Sequence, residues 1–167
     1  MELLEKITLG SSTSIVTFSG IPQDGTDLVV LISARGDRVA TEDGQTMKLN
    51  TNPFDNFYAF DVRPASGAAT SEGSDRMPGA MPAASSVAST FSSNQVYLGN
   101  YANSEDKLAV TLASKTDNTG SSSNRIAINS AIETGTDTGI TSISLQPRYG
   151  SNYVAQSTFS LYKITAG

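Results

Sequence analysis

Asp27-Leu28-Val29-Val30-Leu31-Ile32-Ser33-Ala34-Arg35 is the segment whose reading decides the fold. Its apolar run, Leu28 to Ile32, lies between an Asp-Gly break at 24–25 and Arg35-Gly36-Asp37. A run this short, rich in β-branched residues and bounded by glycine, reads as a strand rather than a helix. Leu28, Val30, Ile32 and Ala34 share one face, and Val29, Leu31 and Ser33 the other. Apolar residues on both faces predict a central strand covered on two sides.

The same alternation spreads in both directions. Upstream, Leu3 to Leu9 and Ile15-Val16-Thr17-Phe18 read as strands, closed by the Pro/Gly punctuation of 20–25. Downstream, a short strand is expected at Thr46–Leu49. A clearer one runs from Phe57 to Arg63 and is stopped by Pro64, which has no ladder donor. Gln95–Tyr101, Lys107–Ala113, Arg125–Ile132, a segment around Ile143 and Leu145, and Ser157–Thr165 follow. In the second of these, Leu108, Val110 and Leu112 are expected inside, and Lys107, Ala109 and Thr111 outside. Ile126, Ile128 and Ile132 share one face of the next. No stretch has the 3.6-residue period of a long amphipathic helix. The expectation is one domain over 1–167, all-β, an antiparallel β-sandwich of jelly-roll type with about ten short strands. Residues 65–93 differ in kind. Ala, Ser, Gly and Pro dominate there, and the segment reads as a long irregular insertion, either a plastic surface loop or an arm reaching a neighbouring subunit.

Composition narrows the function. The 167 residues contain no Cys, no His and no Trp, while Ser and Thr together number 42. Without Cys there is no disulfide scaffold, thiolate metal site or Cys nucleophile. Without His, Ser-His-Asp triads and His-ligated zinc are excluded. The net charge is −5, with no Lys/Arg cluster, so a nucleic-acid partner is not expected. The longest apolar run is far short of a membrane span. The acidic residues Glu2 and Glu5 and the missing apolar h-region argue against a secretory leader at the N-terminus. A Cys-free chain fits synthesis in a cytoplasm.

The remaining chemistry is sparse. Carboxylates are the only plausible acid–base pair: Asp61 lies in a strand and Glu133 follows one, and nothing in the sequence sets the two across a cleft as a glycosidase needs. Asp24, Asp43, Asp117 and Asp137 read as turn residues. Loop oxygens at Asp117 and Asn118 could suit calcium, but no Asp-x-Asp-x-Asp-Gly loop occurs. The expectation is no enzyme, no cofactor and no resident metal. Arg35, Arg63, Arg125 and Arg148 sit at strand ends, where a solvated charge is the plainer reading and a bidentate pair with another subunit's carboxylate the sharper one. Val29 and Leu31 are candidates to pack on partners. Tyr149 and Tyr153, in the 147–153 turn, are candidate glycan contacts, although such tyrosines more often cap a core. Phe54, Phe57, Tyr58 and Phe91, in or around the irregular middle, are candidate partner-binding anchors.

Three segments carry a resemblance. Ile7, Leu9, Ser11, Val16, Phe18, Ile21, Pro22, Thr26, Asp27 and Leu28 form one pattern; Tyr97-Leu98-Gly99-Asn100-Tyr101-Ala102-Asn103-Ser104 a second; and 150–162, from Gly150-Ser151-Asn152-Tyr153 to Phe159-Ser160-Leu161-Tyr162, a third. Together they resemble small structural proteins of tailed phages, especially cyanophages and marine phages. The resemblance implies a jelly-roll-like virion protein. The first expectation is a capsid decoration (cement) protein, binding the major capsid protein's outer shell as a homotrimer after synthesis in the host cytoplasm. The alternative is a tail-fibre or receptor-binding module that contacts a host-surface glycan.

Overall fold

The computed structural model describes residues 1–53, 56–62, 69–72, 78–116, 124–134 and 138–165, with the side chains of 53, 56–62 and 69–72 left undescribed. All regular structure among the described residues is strand. The order is β1 (Glu2–Thr8), β2 (Val16–Ser19), β3 (Asp27–Ser33), β4 (Glu42–Leu49), β5 (Asn52–Pro53), β6 (Asn56–Val62), β7 (Ala69–Glu72), β8 (Gly79–Pro82), β9 (Ser93–Leu98), β10 (Lys107–Lys115), β11 (Arg125–Glu133), β12 (Ser142–Pro147) and β13 (Thr158–Ile164).

Two antiparallel sheets result. The larger runs β1-β13-β3-β9-β10-β11-β6-β7, and the smaller runs β2-β12-β4, with β5 and β8 both on the far edge of β4. The Asp27–Arg35 reading holds in part: β3 is internal to the larger sheet, paired with β13 on one side and β9 on the other, but only its inner face is fully covered, and Leu31 on the outer face is 37% exposed. Between the sheets lie Val16, Phe18, Leu28, Val30, Ile32, Met47, Leu49, Met81, Val96, Leu98, Ile143, Leu145, Phe159 and Leu161, all nearly or wholly buried. This is the alternating inner-face core of a sandwich. The Tyr153 and Phe159 rings meet edge-on at 4.9 Å, the geometry their quadrupoles favour.

The strand expected at Thr46–Leu49 begins four residues earlier, at Glu42, because Pro82 to Gly79 in β8 pair with Glu42 to Gln45. The Ala/Ser/Gly/Pro-rich stretch 65–93 therefore contributes to both sheets, β7 to the edge of the larger and β8 to the smaller. Residues 78–83 are buried. Met81 fills the core, and Gly79 lets the backbone come close. Gly79, at φ +116°, lies so close to β10 that an added Cβ would stand 2.6 Å from the Ala113 Cβ.

Asn50 closes the turn after β4 at φ 55°, a region Asn tolerates. Its Oδ1 accepts the Thr141 and Ser142 amides at 2.9 and 3.2 Å, tying the turn to β12.

Candidate functional site

The larger sheet carries the chain's most unusual surface. Along β10, Lys107, Ala109, Thr111, Ala113 and Lys115 are buried, while Leu108, Val110 and Leu112 are exposed at 52, 43 and 55%. Along β11, Arg125, Ala127, Asn129, Ala131 and Glu133 are buried, while Ile126 and Ile128 are 57 and 52% exposed. The expectation that Leu108, Val110 and Leu112 face inward, and Lys107, Ala109 and Thr111 outward, is thus reversed. The physical reason is β8. It packs against the inner side of β10 and β11 so closely that only small or hydrogen-bonding side chains fit beneath it. The Asn94 amide, for example, donates to the Ala80 carbonyl at 3.3 Å.

The buried charges have partners. Lys107 Nζ donates to the Asn103 carbonyl at 2.7 Å and to Asn103 Oδ1 at 3.2 Å, and burial pulls its amine below the ordinary lysine value. Lys115 and Arg125 both reach the Glu42 carboxylate, at 3.3 and 3.9 Å.

Register joins the outward side chains into rows. One row runs Leu31, Gln95, Leu112, Ile128; another Val29, Tyr97, Val110, Ser130, although Val29, a sequence candidate for partner packing, is itself buried at 6% exposure; a third Ser93, Ser114, Ile126. The backbone pairing carries these rows on to Phe60, Tyr58 and Val62 of β6. No residue in the three rows is charged. Asp27 sits at the end of β3, where it accepts the Asn100 amide at 3.0 Å. A hydrogen bond to Asp27 also raises the Tyr97 hydroxyl above its ordinary pKa. Leu31, Tyr97, Leu108, Val110, Leu112, Ile126 and Ile128 are each 37–57% exposed. Together they offer on the order of 600 Å² of apolar surface, the upper end for the largest patch on a monomer. Covering it would yield roughly 15 kcal/mol gross, against association costs of about 4–15 kcal/mol.

The other residues singled out in the sequence are scattered. Phe91 is half-buried and lines a cavity of about 490 Å³ at the end of the same sheet, with Lys115, Arg125 and Ile126. Phe54 lies outside the described residues, as do Arg63, Asp117, Asn118 and Asp137. Phe57 and Tyr58 are described by backbone alone, in register with Ala131 and Ser130. Asp61 pairs with Ala127 by backbone, and its side chain is likewise undescribed. Glu133 is fully buried.

Tyr149 and Tyr153 do not form a platform. Tyr153 is fully buried and donates to Gln45 Oε1 at 3.4 Å, with burial pushing its hydroxyl well above the ordinary value. Tyr149 is 52% exposed, and the Arg38 and Arg148 guanidiniums stand 4.5 and 4.8 Å from its ring centroid. Two carboxylates hold the turn that bears it. Asp43 accepts the Tyr149 and Gly150 amides, and Asp37 the Ser151 and Asn152 amides. Asp43, expected in a turn, is buried in β4.

Arg35 corrects the solvated strand-end reading. It is 8% exposed, and its guanidinium donates to the Val87 and Ser86 carbonyls at 2.8 and 2.9 Å and to Thr90 Oγ1 at 2.9 Å. Burial lowers its pKa from the ordinary guanidinium value.

Among the described residues, no group of three or more Asp or Glu is placed to hold a metal ion, and no helix is long and apolar enough to cross a membrane. No protein-family model, curated protein or solved structure matches the chain.

Proposed function

We propose that this chain is a non-enzymatic structural protein of a phage virion, a decoration protein that stabilises the outer shell by binding across it. The observation that carries the reading is the uncharged apolar face of the larger sheet, centred on Leu112 and Ile128. Such a face serves adhesion to another protein surface. Stabilisation then follows from mass action, because a ligand that binds only the assembled shell shifts the balance toward it.

The sequence resemblance supports the same reading. Its motif residues Val16, Phe18, Ile21, Leu28, Tyr101, Tyr153, Phe159 and Leu161 are all buried, so the shared pattern is one of scaffold. The alternative, a tail-fibre or glycan-binding module, draws less support, since Tyr153 is buried and Tyr149 is flanked by two arginines.

Immunogold labelling of purified virions with an antibody to this chain tests the reading. Dense labelling over the heads is expected. Labelling confined to tails favours the fibre alternative, and absence from particles overturns both.

A further inference from the structure

We infer that the apolar face of the larger sheet is the contact between copies of this chain, covered by the same sheet of another copy. The inference rests on the structural reading above: the face joins copies into the oligomer that binds the shell, and the shell meets other surfaces of that oligomer.

Three observations select a second copy. The first is charge. The chain carries a net charge of −5. Two copies repel over most of their surfaces, and they approach at least cost through the three rows, where no side chain is charged. A nucleic acid or an anionic membrane would call for Lys or Arg on these rows, and they hold none.

The second is shape and composition. Leu31, Leu108, Val110, Leu112, Ile126 and Ile128 are the large aliphatic side chains that normally fill the space between packed sheets. On β10 and β11 they stand on the outside, while Ala109, Ala113, Ala127 and Ala131 occupy the inside. The aliphatic face suits sheet-on-sheet packing at ~10 Å, which the same face of another copy can supply.

The third is area. The seven exposed side chains present about 600 Å², and the polar members of the same rows, Gln95, Ser93, Ser114 and Ser130, extend the patch toward the ~800 Å² per partner of a standard interface. An apolar centre with an uncharged hydroxyl and amide rim is the anatomy of an association between like subunits.

The test uses the intact chain. Light scattering and sedimentation across a wide concentration range should give at least twice the 17.5 kDa mass. The double variant Leu112→Lys, Ile128→Lys should give the single-chain mass with an unchanged far-ultraviolet spectrum, since both positions are about half exposed in one chain. In case that variant fails to fold, the absence of Cys permits a milder probe. Leu112→Cys and Ile128→Cys should label with maleimide many-fold more slowly at high protein concentration than on dilution. Val39→Cys, at a position 92% exposed and outside this face, should label at one rate throughout.

A single-chain mass at every concentration, or equal labelling at all three sites, overturns the inference. In that event, binding of the monomer to virion heads that is lost on Leu112→Lys leaves the decoration reading intact and reassigns the face to the shell.

Discussion

Arg35 and Val87 are joined by a 2.8 Å hydrogen bond from a buried guanidinium to a main-chain carbonyl, and the segment 84–90 folds around that one side chain. Arg35→Ala would leave the Ser86 and Val87 carbonyls without their donors. A hydrogen bond to a charged group contributes about 1.5–3 kcal/mol. Denaturant unfolding should show a loss of roughly 3 kcal/mol, with Arg35→Lys recovering only part, since an ammonium lacks the planar fork. A loss below half a kilocalorie would mean that 84–90 holds its shape without the anchor.

Gly79 tests the close approach of β8 to β10. Gly79→Ala forces a side chain into φ +116° and toward the Ala113 Cβ. Backbone strain of this kind costs about 1–3 kcal/mol, and the clash adds to it. Adding Ala113→Gly should relieve the clash and leave the strain, so a double-mutant cycle should recover part of the loss. Full recovery would mean that backbone conformation is no constraint at this position.

Acid should loosen the 148–152 turn. Burial tends to raise the Asp37 pKa, but the amides of Asn152 and Ser151 and the Asn152 side chain outweigh it, and the net direction is downward. A carboxyl whose folded pKa is depressed stabilises fully above its unfolded value, near 3.9, and loses that contribution as pH falls through the folded value. Thermal melts should therefore drop as pH falls below about 4. Asp37→Asn should start less stable at neutral pH, by about 1 kcal/mol, and show a shallower acid limb. An identical acid limb in both would place the sensitivity at another carboxylate.

Tyr153 is a core residue, and its truncation should read as one. Tyr153→Ala removes a fully buried ring packed on Phe159 and should cost about 3–5 kcal/mol in unfolding free energy. Tyr153→Phe, which gives up only the long 3.4 Å bond to Gln45, should cost about 1 kcal/mol or less. Under the glycan alternative, Tyr149→Ala should weaken binding on a glycan array; an unchanged profile would remove Tyr149 from that reading.

The sequence made the strands legible because period-2 alternation is a local property. β3, β10, β11 and β13 fall where their apolar residues repeat. Alternation also shows which residues share a face, but not which face is covered. For β10 the assumption that Leu108, Val110 and Leu112 must be the inner set was wrong, because the covering element is β8. β8 lies in an Ala/Gly/Pro-rich segment whose own sequence carries no strand signal. A hint was present: Lys107 and Lys115 stand in step with Ala109 and Ala113, and Arg125 and Glu133 in step with Ala127 and Ala131, small residues that suit a tight layer. The roles of Arg35, Asp43 and Asn50 could not be read at all, since each binds backbone groups far away in the chain.

The alanines on the inner face of β10 and β11 also set how substitutions on these strands would rank. In a screen of single-chain heat resistance, a bulky aliphatic at Ala109, Ala113, Ala127 or Ala131 would be among the worst tolerated changes, because all four are buried and Ala113 lies directly against Gly79. A polar residue at Leu108 or Ile126 would pass almost unnoticed. The familiar rule that enlarging greasy positions is mild and introducing polarity is harsh would come out inverted on these two strands.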